Sequence, residues 1–187
     1  MFSRKASTVA QEALGKTLVR VTADGLLVAR IVETEAYLGE HDPAAHASFG
    51  RTKRTQVLYG EPGHAYVYQL HGHHCLNFVA EPLGSPGCVL IRAVEPLAGI
   101  EAMRQLRRKN DLELINLSNG PGKLCQAMAI DMTMYGIDLV APTSSLQVWE
   151  PLEEQEREIE ISRRRGITKA TDWELRFTLK GNPYVSR

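Results

Sequence analysis

An apolar run from Leu26 to Val32 constrains the fold of this chain most, because it leads without a break into a patterned polar stretch. That stretch, Glu33-Thr34-Glu35-Ala36-Tyr37-Leu38-Gly39, sets two carboxylates and a tyrosine at alternate positions. We predict one long strand from Leu26 to Leu38, entered through a hairpin turn at Ala23-Asp24-Gly25. A sheet must form around this strand, and polar groups collect at its end.

The remaining pattern mixes strands and helices without regular βαβ alternation. Before the long strand, we expect a helix from about Ser7 to Leu14, capped by Ser7 or Thr8, and a strand from Lys16 to Thr22. Further strands are predicted at 65–70, 75–80, 88–93, 146–149, 159–162 and 175–179, and further helices at 99–109 and 121–129. The expected fold is α+β: a single compact domain over residues 1–187, with a curved, largely antiparallel β-sheet flanked by helices.

Charge and cysteine content limit the classes of partner and compartment. Lys plus Arg and Asp plus Glu are both 22, so the net charge is zero and any nucleic-acid contact must come from local basic patches. Cys75, Cys88 and Cys125 lack C-x-x-C spacing, which favours a reducing compartment and argues against a cysteine zinc site. With a polar stretch at residues 1–9 and no membrane-length apolar run, we expect a cytoplasmic protein.

The alternating positions at the end of the long strand have two interpretations. Residues two apart in a strand share a face, so Glu33, Glu35 and Tyr37 should point the same way. An ionised carboxylate beside an aromatic ring could serve as a general base. An ordinary solvated strand face would show the same pattern, and the spacing alone favours the solvated face.

Basic residues form three local groups along the chain. One lies in a long segment from Gly39 to Gly63, where Arg51, Lys53 and Arg54 are interleaved with threonines that could join them at a phosphate. The others lie at 104–109 and 163–165. Taken alone, each group is more typical of a solvated face.

The histidines suggest a metal site. His71, His73 and His74 are close in sequence, with His41 and His46 upstream. A metal-dependent hydrolase built on them and Glu35 is therefore an alternative. Because the three fall at a predicted turn and lack helical H-x-x-x-H spacing, we interpret them as polar residues of a hairpin tip and expect no metal or cofactor.

Several longer blocks, in order and over nearly the whole chain, together resemble the alkyladenine (3-methyladenine) DNA glycosylase family. The first half carries Arg30 to Gly39, then Asp42, His46 and Gly50-Arg51-Thr52. The matching blocks continue at 62–68, 75–77, 89–96, 120–127, 175–177 and 182–187.

The resemblance implies an enzyme that flips a damaged purine nucleotide out of duplex DNA and hydrolyses its N-glycosidic bond, leaving an abasic site. It implies that Glu35 is the general base for water and that Arg92 helps to hold the water or the nucleotide. The base would lie between Tyr37, His46 and Tyr68, and Asn77 would exclude normal guanine. Phosphates would be held by Arg51, Thr52 and Arg54.

The sequence departs from the family pattern at the residue that wedges into the duplex. The family usually has tyrosine there, whereas this chain has His71, with His73 nearby to assist. An imidazole stacks over a smaller apolar area than a phenol ring does. From the resemblance we expect a monomer that acts on chromosomal double-stranded DNA, and a non-catalytic nucleic-acid-binding module is the alternative outside enzymes.

Overall fold

One antiparallel sheet of eight strands organises the chain in the computed structural model, which describes residues 1–109, 112–151 and 157–186. The strands are β1 (Thr17–Thr22), β2 (Gly25–Tyr37), β3 (Ala65–Leu70), β4 (His73–Ala80), β5 (Gly87–Ala98), β6 (Leu146–Trp149), β7 (Ile159–Ser162) and β8 (Arg176–Leu179). The helices are α1 (Ala6–Ala13), α2 (Ile100–Leu106) and α3 (Pro121–Ala127).

Strand β2 is the centre of this sheet, as its long apolar run predicts. The strand order is β3-β4-β5-β2-β1-β6, and β8 joins β2 where β1 has ended, with β7 beyond it. Every pairing is antiparallel, and the sheet is curled. Because β2 has neighbours on both sides along most of its length, its polar end is enclosed by other strands.

The hydrophobic core lies between the sheet and the helices. Helix α1 packs on β2 and β5, and helix α3 packs on β4 and β5. The fully buried side chains include Leu18, Ile31, Ile91, Met103 and Leu124. A second, smaller apolar cluster lies under the segment between β2 and β3, and it includes Ala47, Leu58, Tyr66, Val79 and Cys88.

The predicted fold class is confirmed, and the differences are local. Helix α1 begins after Lys5, so Ser7 and Thr8 lie inside it and the predicted cap is wrong. The backbone N–H of Ala6 instead donates to Glu81 Oε1 over 3.1 Å, a long-range partner that no local pattern reveals. Strand β5 runs to Ala98, beyond the predicted residue 93, because it pairs with β2 over that whole length.

The two later helices are shorter than predicted, since α2 ends at Leu106 and α3 at Ala127. The segment between β2 and β3 contains three short 3-10 helices: Gly39–His41, His46–Phe49 and Gln56–Tyr59.

Within the described residues, no helix combines the length and the apolar character needed to cross a bilayer.

Candidate active site

The two carboxylates at the end of β2 are buried. Glu33 and Glu35 both have 0% exposed surface, so the prediction of a solvated strand face is wrong. Strand β8 pairs with β2 at these two residues, and neighbouring segments near the end of the chain close over them. Because a buried carboxylate is costly unless it is paired, its donors decide what each of these groups can do.

Bulges in the β2–β5 pairing bring Arg92 to these carboxylates. The register steps from Glu33↔Ala93 to Thr34↔Ile91, and Arg92 is skipped. Bulges bend a strand and re-aim a side chain, and they are common beside active sites. Here the bulged arginine points its guanidinium at both carboxylates.

Three groups contact the Glu35 carboxylate: a hydroxyl, a backbone N–H and a guanidinium. Its Oε2 accepts from the Tyr37 hydroxyl over 2.9 Å, and its Oε1 accepts from the backbone N–H of Arg165 over 2.7 Å. Arg92 Nη1 lies 3.2 Å from the same Oε1. Burial raises the pKa of Glu35 above its ordinary value, and the charge of Arg92 and the two hydrogen bonds offset only part of that effect. Glu35 is therefore a stronger base than an exposed glutamate.

Glu33 is more fully bonded. Its Oε1 accepts from Arg92 Nε (3.0 Å), Arg176 Nε (2.7 Å) and Ser186 Oγ (2.9 Å), and its Oε2 accepts from the Ser186 backbone N–H (2.6 Å). Burial alone would raise the pKa of Glu33. The bonds from Ser186 and Arg176, together with the charge of Arg92, outweigh burial and lower that pKa. We call Glu33, Glu35, Arg92 and Arg176 the carboxylate cluster.

Tyr37 links this cluster to an arginine on its other side. Burial and the neighbouring Glu35 raise the pKa of Tyr37, so its hydroxyl stays protonated and donates. The Arg164 guanidinium lies over the Tyr37 ring, 4.7 Å from its centroid. Arg164 also pairs with Asp42, with 2.9 Å between Nη2 and Oδ1, and neither side chain is exposed. The prediction of a solvated face is therefore wrong for Arg164, although Arg163 and Arg165 are exposed.

Aromatic rings from three segments meet beside β3. His46 Nδ1 lies 2.8 Å from the Tyr66 hydroxyl, and the His46 ring meets that of Tyr68 edge to face, with 4.6 Å between centroids. Tyr135 stands edge to face on Tyr66 at 6.2 Å. We call His46, Tyr66, Tyr68 and Tyr135 the aromatic pocket. Tyr37 and Tyr68 pack against the same small apolar cluster, which joins the pocket to the carboxylate cluster.

His46 is neutral in this environment. Burial lowers its pKa to about 4, and the charge of Arg54 adds to the effect. Arg54 Nη2 lies 3.3 Å from His46 Nε2, and the guanidinium carbon lies 4.8 Å above the Tyr68 ring. An exposed arginine therefore covers the open side of the Tyr68 ring.

A cavity of about 720 Å³ opens beside Tyr68 and Arg54. Its described lining also includes Lys53, Gln56, Val67, Gln69, Met132 and Tyr135. The fully buried Glu35 is not part of that lining. Arg54 therefore stands at the boundary between the cavity and the His46–Tyr68 ring pair.

The other predicted site residues lie around these two groups. Asn77 is buried at 2% exposure behind the rings, where its Nδ2 donates to the Tyr66 carbonyl over 3.0 Å. Arg51 and Thr52 lie on an exposed turn, with the Arg51 guanidinium 5.7 Å from the Tyr59 ring. The Thr52 hydroxyl contacts Thr55 Oγ1 over 3.0 Å, which uses it to hold the turn together.

The predicted hairpin tip is a two-residue turn between β3 and β4. His71 and Gly72 both have positive φ, 49° and 80°, as a type I′ turn requires, and histidine tolerates that conformation better than most side chains. His71 and His73 are exposed. A Cβ placed on Gly122 would lie 2.9 Å from His73 Cβ, so glycine is needed for α3 to support the hairpin.

In residues 1–109, 112–151 and 157–186, no group of three His, Cys, Asp or Glu side chains is placed to hold a metal ion. His71 and His73 lie at the hairpin, whereas His46 lies in the aromatic pocket with tyrosine and arginine as neighbours.

Sequence reasoning missed several contributors to the site. Arg165 acts through its backbone N–H, which carries no side-chain signal. Ser186 and Arg176 reach Glu33 from the far end of the chain, and Tyr135 packs on Tyr66 from another distant segment. Arg164 could have been noticed only as one member of a basic run, whose alternating burial depends on tertiary contacts.

Comparison with known proteins agrees with the resemblance described above. The family model described as "Methylpurine-DNA glycosylase (MPG)" matches residues 1–183. A protein of Koribacter versatilis is 42% identical over 189 residues, covering 99% of this chain and 90% of the relative. One from Methanoculleus marisnigri is 46% identical over 191 residues, covering 100% and 96%. Both are named "Putative 3-methyladenine DNA glycosylase". This chain therefore belongs to the methylpurine-DNA glycosylase family.

Proposed function

We propose that this chain is a DNA glycosylase that hydrolyses the N-glycosidic bond of alkylated or deaminated purines and leaves an abasic site. Family membership and the names of the relatives support the activity on DNA. The observation that carries the mechanism is Glu35, a fully buried carboxylate with a raised pKa that contacts Arg92 and Tyr37. A general base works best when its pKa lies near the working pH, which burial here favours.

In the proposed reaction, Glu35 accepts a proton from a water molecule whose oxygen bonds to the deoxyribose carbon. The bond from that carbon to the base breaks, and its electron pair leaves with the base. The transition state has positive charge on the sugar, which the Glu35 carboxylate stabilises. An N-alkylated purine already carries positive charge, so it can depart without an acid. Arg92, held against Glu35 at 3.2 Å, would fix the water or the nucleotide.

The proposed base pocket is formed by Tyr37, His46 and Tyr68. The Tyr68 hydroxyl is protonated because burial raises its pKa, and His46 is neutral because its pKa is lowered to about 4. Neutral rings do not repel a cationic base, and each ring face attracts it by about 0.5–2 kcal/mol. Asn77, buried behind Tyr66, is the proposed group that excludes normal guanine.

The reaction requires that the nucleotide leave the duplex, because Glu35 has no exposed surface. The proposed wedge is His71 at the exposed β3–β4 turn, assisted by His73. Arg51, Thr52 and Arg54 lie on an exposed turn and are the proposed phosphate contacts. This local basic surface would provide the attraction that a chain of zero net charge lacks as a whole.

The decisive experiment uses DNA duplexes that each carry one kind of lesion: 3-methyladenine, 7-methylguanine, hypoxanthine or ethenoadenine. Incubation with the protein should create an abasic site at the lesion, which an abasic-site endonuclease converts to a strand break. Intact duplexes with every lesion would refute the proposal, and tight binding without cleavage would indicate the non-catalytic module instead. Borohydride should trap no covalent complex, since the proposed nucleophile is water.

A further inference from the structure

Glu33 is a second buried carboxylate for which the proposed reaction has no use. Its lowered pKa and its donors from Arg92, Arg176 and Ser186 keep it ionised, so it is not suited to accept a proton. The group it shares with Glu35 is Arg92, whose Nε faces Glu33 at 3.0 Å and whose Nη1 faces Glu35 at 3.2 Å. The planar guanidinium of Arg92 therefore bridges Glu33, which already accepts several other hydrogen bonds, and Glu35, the proposed base.

This bridge depends on Glu33 because Arg92 is a bulged residue. The skipped register frees Arg92 from the regular pleat, so the strand alone does not fix the direction of its side chain. A guanidinium is planar and rigid, and anchoring its Nε edge sets where its Nη atoms point. Glu33 is itself held from β8 through Arg176 and from the chain end through Ser186.

We propose that Glu33 is a positioning residue that anchors Arg92 in the orientation needed beside Glu35. The inference rests on the proposed function, because it takes Glu35 as the base. It gives the buried contacts of Arg176 and Ser186 a catalytic purpose, since they hold the residue that holds Arg92. Glu33 does not touch the substrate in this arrangement.

The charge of Glu33 also acts on Glu35. The groups that face Glu35 are Arg92, the Arg165 N–H, the Tyr37 hydroxyl and, through its negative charge, Glu33. Because like charges disfavour each other, Glu33 raises the pKa of Glu35, while Arg92 lowers it. Arg92 has the larger effect of the two. If removing the Glu33 charge also releases Arg92, the pKa of Glu35 should rise, and the acid limb of the pH–rate profile should move to higher pH.

The test compares Glu33→Gln with wild type in single-turnover excision from pH 4 to pH 9. Glutamine keeps the size of the side chain and removes its charge. We expect the rate at neutral pH to fall about 100-fold, the loss typical of a misplaced catalytic group, and the acid limb to shift to higher pH. If Glu33 did not position Arg92, losing its charge would leave that limb unmoved or shift it to lower pH.

Glu95→Gln is the matched control, because Glu95 lies on β5 like Arg92 and pairs with Arg30 of β2 at 2.6 Å. This variant makes the same chemical change in another ion pair between the same two strands. We expect it to keep the wild-type rate at neutral pH and the wild-type acid limb.

A wild-type rate for Glu33→Gln, or an acid limb that stays in place or moves to lower pH, would overturn the inference. If Glu33→Gln does not fold, Arg92→Lys replaces it, because one ammonium cannot bridge both carboxylates; a wild-type rate for that variant would also overturn the inference. The proposed function is tested separately by the wild-type protein. An inactive wild type would refute that function. An active wild type, with a Glu33→Gln limb that does not move to higher pH, would refute only the role of Glu33.

Discussion

The carboxylate cluster and the aromatic pocket are organised in opposite ways. In the cluster, Glu33 and Glu35 are fully buried on β2, and each accepts several donors. In the pocket, His46 and Tyr68 are only partly buried, and Tyr68 lines an open cavity. The groups proposed for the chemistry are thus set in place when the sheet forms, whereas the proposed base-binding surface still has to receive its occupant.

The two tyrosines proposed to hold the base show the same difference at closer range. Each ring carries a guanidinium at about the same distance, 4.7 Å for Arg164 on Tyr37 and 4.8 Å for Arg54 on Tyr68. Arg164 is buried and tied to Asp42, so it is a permanent part of the fold. Arg54 is exposed, so it can leave when a base enters.

The largest expected effect tests the buried carboxylate cluster. Glu35→Gln should reduce single-turnover excision by about 10²–10⁴-fold, because the amide cannot accept the proton from water. Binding to lesion-containing duplex should stay near wild type, since Glu35 has no exposed surface with which to contact DNA. Single-turnover rates and a binding titration on the same duplex measure both. Wild-type excision by this variant would remove Glu35 from the mechanism.

The next largest effect compares what Arg164 and Arg54 each contribute to the free energy of unfolding. Arg164→Gln leaves Asp42 buried without its charged partner, and we expect the free energy of unfolding to fall by about 3–5 kcal/mol. Arg54→Gln changes an exposed side chain and should alter it by no more than about 0.5 kcal/mol. Urea unfolding monitored by tryptophan fluorescence measures both variants. Equal losses would mean that the two guanidinium–tyrosine contacts do not differ as described.

A smaller effect tests whether Arg54 occupies the place of the base. Its contact with an aromatic ring is worth about 0.5–1 kcal/mol, so Arg54→Ala should tighten binding of the free base ethenoadenine about two- to fivefold. The same variant should weaken duplex binding through loss of a phosphate contact. It should also raise the pKa of His46, because the charge of Arg54 helps to lower it. Base fluorescence, a duplex titration and NMR of the histidine ring measure the three effects.

Arg51→Ala is the control for this test, because Arg51 lies on the same turn but covers Tyr59, which does not line the described cavity. It should reduce the salt slope of duplex binding by about 0.9 and leave free-base binding unchanged. If Arg54→Ala and Arg51→Ala behave alike in both assays, Arg54 is only a phosphate contact.

The sequence predicted the elements of this fold better than the environment of its site. The strand from Leu26, the 65–70 strand and a turn at 71–73 follow from apolar periodicity and turn chemistry, which are local properties. The structure has them within a few residues, with the turn shortened to His71-Gly72 because His73 begins β4. Family resemblance gave the membership that the family model and the relatives confirm. It also gave residue roles, which stay predictions.

Local patterns could not give the burial of Glu33 and Glu35. Alternating polar residues look solvated until β8 pairs with β2 and the residues near 165 and 186 close over it, and those contacts join positions more than 120 apart in the chain. The bulge at Arg92 likewise depends on how two strands meet, not on either strand alone.

The smallest expected effect concerns His71, which differs from the family's usual tyrosine. In the structure His71 is exposed at a type I′ turn, the position proposed for the wedge. His71→Tyr should bind duplex with an abasic site about twofold more tightly, roughly 0.5 kcal/mol, since a larger ring fills more of the gap. A titration with abasic duplex, with undamaged duplex as the reference, measures this. Tyrosine is less suited than histidine to a positive φ, so part of the gain is offset by strain in the turn. Weaker binding by His71→Tyr would mean that the backbone conformation of the turn matters more than the size of the side chain at residue 71. The turn would then resemble the carboxylate cluster, in which the fold fixes the position of each group.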